Sequence, residues 1–228
     1  MEPPKNKAQI IELRALLRAQ FPSAHAVERT KIKPFSSSGI SCLDQLFLDR
    51  GCLTEVVGAQ ASSGAVVLLA GLLDHTLQQR RPAALIDTQD SFDPLCLPKE
   101  SRHRLLWVRT HHRLDDSLRA VDLLLRDGNL PLIILDLLGT AVRDVQRVPG
   151  SVWFRLRTLC EQSGAAFLAL TPCKAIPCAQ RRLETVHRFG IDEIDLPLIT
   201  LLASLHLHTL LERTHPQASA ERPARVAA

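Results

Sequence analysis

The sequence predicts an α/β domain, with a mostly parallel central sheet flanked by helices and preceded by an N-terminal amphipathic helix. Three observations carry that prediction. Residues 83–87, 131–136 and 165–171 are short apolar runs without polar alternation, the pattern of strands covered on both faces. The segments between them, 114–126 most clearly, repeat apolar residues at helical spacing, and strands alternating with helices build parallel sheets. The strand runs also close on Gly58, Asp87, Asp136 and Thr171, at the carboxyl ends where such sheets bind ligands. With 228 residues, 46% hydrophobic and 23% charged, the chain has material for one sizeable core and is not a disordered protein.

The elements follow in order. Residues 5–20 place Ile10, Leu13 and Leu17 on one helical stripe, with Ile11 and Leu16 beside it and Lys5, Lys7, Glu12, Arg14 and Arg18 outside it. Phe21-Pro22 ends that helix, and residues 23–38, with Pro34, a serine run and Arg29, Lys31 and Lys33, have the composition of a linker. Residues 1–38 therefore form an arm, residues 39–212 the core and residues 213–228 a disordered tail. Within the core, Ser41 caps a short helix through Leu48, a strand covers 53–57, and a helix runs from the following loop to about Arg80. Strands at 83–87 and 105–108 precede a helix over 114–126, whose Leu114, Leu118, Val121 and Leu125 share a face and whose stop is Gly128-Asn129. A strand at 131–136, a helix at 151–163 and a strand at 165–171 come next. Beyond Pro172, residues 183–189 and 198–208 read as terminal antiparallel strands, the second with His206 and His208 on one side.

The net charge of +4, from 28 basic and 24 acidic residues, permits contact with acidic partners without demanding it. No apolar run reaches the roughly 18 residues of a membrane-spanning helix, and the opening MEPPKNKAQ lacks a signal-peptide core, so the expectation is a soluble, cytoplasmic protein with no membrane partner. In that compartment the cysteines stay reduced. Cys42, Cys52, Cys96 and Cys160, set among apolar residues, read as small core side chains. Four residues separate Cys173 from Cys178, with His187 further on, which is not the tight pair of most zinc sites, so no metal is expected. His111 and His112, beside Asp115 and Asp116, read as a solvated loop that opens a helix.

The loop 58–66, GAQASSGAV, stands between a strand and a helix, the position of a phosphate-binding turn. A working turn reads GxxxxGK[ST]: its lysine neutralises the β- and γ-phosphates and its hydroxyl ligates magnesium. Here Gly58 and Gly64 are separated by five residues instead of four, and Ala65 and Val66 occupy the lysine and hydroxyl places. The frame is present without its working parts.

The series GCLTEVVG, SSGAVVLL, ALIDTQDSFDP, a buried strand ending in Asp136 and a strand ending in Thr171 resembles the ATPase core of the bacterial recombinase RecA. Together with LLWVR at 105–109 and DLLLRDGNLPLIILDL at 122–137, it is similar to the ImuA family of RecA-like proteins, which is associated with damage-induced (SOS) translesion DNA synthesis. The resemblance spans roughly residues 36–190. It implies that Ser62, Ser63 and Gly64 match the recombinase loop, that Asp136 matches the acid holding magnesium through water, and that Gln89 stands where the recombinase has the glutamate orienting the attacking water. Losing a lysine–phosphate contact removes about 1.5–3 kcal/mol. With the metal weakened too, ATP affinity should fall by roughly two to four powers of ten, at about 1.4 kcal/mol per decade. The expectation is a degenerate P-loop fold that does not hydrolyse ATP and binds it weakly or not at all. Arg80 and Arg81, at the far end of the helix, are poorly placed to substitute for the lysine.

The function implied by the resemblance is that of a non-catalytic accessory protein in a mutasome. Its implied partners are an ImuB-like homologue of Y-family polymerases and an error-prone replicative-type DNA polymerase, with self-association also open. In RecA-like proteins the region before the core helps subunits associate, which makes the stripe of Ile10, Leu13 and Leu17 the candidate docking arm. DNA-facing loops of the recombinase correspond to residues 139–149, with Arg143 and Arg147, and to residues 172–182, with Lys174, Arg181 and Arg182. Neither loop has an aromatic residue for base stacking, so weak, salt-sensitive phosphate contact is expected there. A DNA-binding RecA-like ATPase or recombination protein and a cell-division regulator of the same fold are the alternatives.

Overall fold

The computed structural model describes residues 37–46, 50–58, 60, 62–193 and 195–212. The predicted helix over 5–20, most of the linker and the tail from 213 lie outside them. The elements are α1 (Ser41–Gln45), β1 (Leu53–Val57), α2 (Ala65–Gln78), β2 (Ala83–Asp87), α3 (Lys99–Arg102), β3 (Leu105–Arg109), α4 (Leu114–Asp127), β4 (Leu132–Asp136), α5 (Val142–Arg147), α6 (Gly150–Ser163), β5 (Ala166–Thr171), β6 (Arg181–Thr185), α7 (Leu198–Ser204) and β7 (Leu207–Glu212). Single 3-10 turns occur at Pro94–Cys96 and Ile191–Glu193.

The strands form one sheet in the order β3-β2-β4-β5-β1-β6-β7. Every neighbouring pair is parallel except β6 with β7. Successive residues of a strand point to opposite faces, so Leu85 enters one core while Ala84 and Ile86 enter the other. The first core is closed by α1, α2 and α7, through residues such as Leu68, Leu72 and Leu202; the second by α4 and α6, through Val121, Leu125, Trp153 and Leu156. All residues of β1, β2, β4 and β5 are buried. Each fully buried Leu or Ile contributes about 1.5–3 kcal/mol of transfer free energy, so these strands anchor the domain and fix where their carboxyl ends lie. Helix α4 stops as predicted: Gly128 takes φ 71 and its amide donates to the Leu124 carbonyl at 3.2 Å.

The carboxyl-terminal part departs from the prediction. Residues 183–189 read as one of two terminal antiparallel strands; the strand is Arg181–Thr185, antiparallel to β7 on one side and parallel to β1 on the other, with Val56 opposite Leu183. Its polar alternation reflects partial cover near the sheet margin. Residues 198–208 hold a helix, α7, before the true last strand. Leu198, Leu201, Leu202 and Leu205 recur at helical spacing, and Leu202 packs so closely on α2 that a Cβ on Gly71 would stand 2.5 Å from its Cδ1. Ser41 does not cap α1; the carboxylate of Asp44 instead accepts the amides of Ser38 (2.6 Å) and Gly39 (3.1 Å). Cys42, Cys52 and Cys160 are buried as expected, whereas Cys96 is exposed on the 3-10 turn after β2. No helix among the described residues is long and apolar enough to cross a membrane.

Candidate functional site at the carboxyl edge of the sheet

The degenerate turn sits between β1 and α2. Gly58 donates to the Thr171 carbonyl at 2.9 Å, tying the loop to the end of β5. A Cβ on Gly58 would meet Ala65 Cβ and Leu138 Cδ2, each at 3.0 Å, a tight approach that a side chain there would have to push apart. Gly64 is the α2 N-cap at φ 90. Ala65, in the lysine place, is buried beneath the loop, whereas Val66, in the hydroxyl place, is 64% exposed.

The segment after β6 lies over this loop. The Thr185 hydroxyl lies 2.9 Å from that of Ser63, the Phe189 amide donates to the Ser62 carbonyl at 3.1 Å, and Arg188 Nε donates to Gln60 at 3.0 Å. A Cβ on Gly64 would meet Leu205 Cδ1 at 2.4 Å and Phe189 Cε2 at 2.9 Å. Apolar side chains therefore press on the helix N-terminus where a nucleotide site carries its cation. The cleft beside them has a volume of about 640 Å³ and a mainly apolar lining from Val66, Val67, Leu138, Phe189, Ile191 and Leu201, with Gln60, Ser62, Ser63 and Glu193 as polar members.

Asp136 ends β4 in register with Asp87 of β2. Burial is the main cause raising its pKa to about 7, the Asp87 charge adds to it, and the Leu138 amide, donating to Oδ1 at 2.9 Å, opposes it. Asp87 is spent on structure: it accepts from the Ser91 and Phe92 amides at 3.1 and 3.0 Å and from Trp107 Nε1 at 3.2 Å. Gln89 is held at both ends of its amide, its Oε1 lying 2.8 Å from His112 Nδ1 and its Nε2 donating to Thr140 Oγ1 at 3.1 Å.

Glu55 is the residue that the sequence reading missed. Its carboxylate is fully buried in β1. Oε1 accepts from Thr171 Oγ1 (3.1 Å), Ala175 N (2.8 Å) and Ile176 N (3.1 Å), while Oε2 takes Arg182 Nε. A second Arg182 nitrogen donates to the Ile176 carbonyl at 2.7 Å. One buried charge thus organises the whole turn after β5. The available signal was a lone acid inside an apolar strand, which demands a buried partner.

The predicted DNA-facing residues separate accordingly. Arg182 belongs to the Glu55 network and Arg181 pairs with Glu212 of β7, so neither projects from a loop. Lys174 alone of that group is exposed. Residues 139–149 are not a loop, because they contain α5, where Arg143 (80% exposed) and Arg147 (77%) flank Asp144 at 3.7 and 3.6 Å. The structure brings Gly58, Ser62, Ser63, Gly64, Val66 and the neighbourhood of Asp136 to one cleft and leaves the arginines elsewhere; the docking stripe of Ile10, Leu13 and Leu17 is outside the described residues. Among the described residues no group of His, Cys, Asp or Glu side chains is arranged to hold a metal ion.

A mostly parallel seven-stranded sheet flanked by helices, with a turn between β1 and α2 at its carboxyl edge, has the RecA-like α/β fold. The chain is similar to the crystal structure of the RadB recombinase, with a TM-score of 0.51 and 18% identity over 66% of this chain and 82% of that one. At that identity the likeness establishes the fold. No family model matches the sequence, and no curated protein does either.

Proposed function

We propose that this chain is a non-catalytic RecA-like accessory protein of a damage-inducible translesion DNA synthesis complex. Its work is to bind an ImuB-like homologue of Y-family polymerases and, through that assembly, an error-prone replicative-type polymerase. One observation carries the reading: the two places where a phosphate-binding turn has its lysine and its hydroxyl hold Ala65 and Val66, and Phe189 and Leu205 press on Gly64 before them. Gln89 supports it, since a neutral amide accepts no proton and this one is engaged by His112 and Thr140. A core relieved of turnover keeps its shape and its surfaces, and an apolar cleft is worth more to assembly than to phosphate chemistry.

The test is co-purification with the Y-family-like polymerase of the same genome. The full chain should retain that protein, and a chain lacking residues 1–30 should lose it while its melting temperature is unchanged. Failure of the full chain to bind contradicts the accessory role; undiminished binding by the shortened chain removes the arm from it.

A further inference from the structure

Two large apolar side chains stand in solvent while lining the cleft beside the degenerate turn: Val66, 64% exposed on the first turn of α2, and Ile191, 87% exposed on the 3-10 turn after β6. Exposed hydrophobics scattered singly need no explanation, but these two come from distant segments and meet at one mainly apolar concavity. Both backbones are fixed. Val66 belongs to the helix that Gly64 caps at φ 90. The Ile191 turn is closed by the Gly190 amide, which donates to Glu193 Oε2 at 2.8 Å, and by the Glu193 amide, which donates to the Gly190 carbonyl at 3.2 Å. The bond from the Phe189 amide to the Ser62 carbonyl at 3.1 Å ties that turn to the loop, so the two walls keep their spacing.

Charge decides what fits. Among the described residues that line the cleft, Glu193 alone carries an ionisable side chain. It is 31% exposed, and its Oε1 lies 3.7 Å from His187 Nε2, too far for a hydrogen bond. Asp192 and Asp195, both exposed, flank it in the chain. Arg188, the nearest arginine in sequence, donates to Gln60 and lines a smaller, separate pocket with His187. An acid at an apolar mouth repels phosphate and the anionic surface of a membrane, and it attracts Lys or Arg. A small ligand held inside the cleft leaves Ile191 and Val66 in water, whereas a protein segment laid across the mouth covers them. Such a segment supplies both halves of the match, apolar anchors for the concavity and a cation for Glu193.

We propose that this cleft is a docking groove for a partner segment with apolar anchors and an adjoining Lys or Arg, the anchors resting on Val66, Leu138 and Ile191 and the cation pairing with Glu193. Docking here deepens the accessory role and rests on it for the partner, yet the two fail separately. Loss of co-purification contradicts the polymerase partnership, whereas a defined peptide reads the groove alone. The probe is a random dodecapeptide library displayed on phage, selected on the full-length chain and depleted on the variant V66Q/I191Q. The most enriched peptide is then synthesised, labelled and titrated by fluorescence anisotropy. It should carry apolar residues beside Lys or Arg. Both substituted positions are exposed, so V66Q/I191Q should keep its melting temperature while losing about tenfold or more in affinity. E193Q retains an acceptor for the Gly190 amide and should weaken binding while flattening its salt dependence. No enrichment after depletion, enriched peptides without Lys or Arg, or unchanged binding to folded E193Q would each overturn the proposal. So would self-association that V66Q/I191Q abolishes, which gives the groove to a second copy, or competition by Mg-ATP, which gives it to a nucleotide.

Discussion

Two corners of the same carboxyl edge use their polar groups in opposite ways. At the β1-β5-β6 corner every named group is turned inward: Glu55 serves Thr171, Ala175, Ile176 and Arg182, and Gln180 closes on Leu53 through both its amide and its side chain. At the β2-β3-β4 corner Asp87 is likewise consumed, but the layer above it is not. Arg109, His111, His112 and Arg113 are exposed, and two of them sit on strained backbone. Saturation inward yields a rigid turn with little left to offer a ligand. Saturation by surface pairs alone leaves groups that a partner can take over at small cost. At the corner that resembles a phosphate site the polar groups are therefore spent on the turn after β5 and the cleft beside it is mainly apolar, whereas the neighbouring corner keeps its polar groups at the surface.

The largest effect on this contrast should come from Glu55→Gln. Removing the charge leaves Arg182 without its buried counter-ion, and breaking such a pair costs about 3–5 kcal/mol. Urea denaturation should show a loss of that order, while an equal loss from a substitution at exposed Lys174 would show that the turn is not specially held.

Asp136 should have the next effect, and it depends on pH. Its folded pKa of about 7 lies above the ordinary 3.8, so the folded chain keeps a proton that the unfolded chain has released. Stability is complete below the unfolded pKa and falls as pH rises through about 7. The full loss is on the order of 4 kcal/mol, at about 1.4 kcal/mol per unit. Asp136→Asn should remove that slope, gaining stability at alkaline pH and little near pH 4 by the same linkage. An unaltered stability profile between the two proteins would mean that the carboxyl is not held protonated.

The fold was legible where one physical rule dominated. Continuous burial marked residues 53–57, 83–87 and 131–136, and the structure has strands at Leu53–Val57, Ala83–Asp87 and Leu132–Asp136. Where two periodicities compete the sequence misleads, as at Leu198 to His208, whose leucines satisfy both a short strand and the helix that Gly71 admits. The turn between β1 and α2 was equally readable from Gly58 and Gly64, and the end of β4 from Asp136. What presses on that turn was not, because Phe189 and Leu205 reach the loop from far along the chain. Glu55 and Arg182 illustrate the same limit: an acid in one strand and a base in another announce no pairing until β1 and β6 lie side by side. The strain at His111 and His112 is a property of backbone angles, invisible in residue types that suit any solvated loop.

The two positions after Gly64, where a triphosphate site has its lysine and its metal-binding hydroxyl, hold Ala65 and Val66. Isothermal titration of Mg-ATP into the full chain tests the consequence most directly. The account predicts no saturable heat up to millimolar nucleotide. Saturable binding that Asp136→Ala abolishes would contradict it, because a surviving metal-assisted triphosphate site would then exist despite Ala65 and Val66.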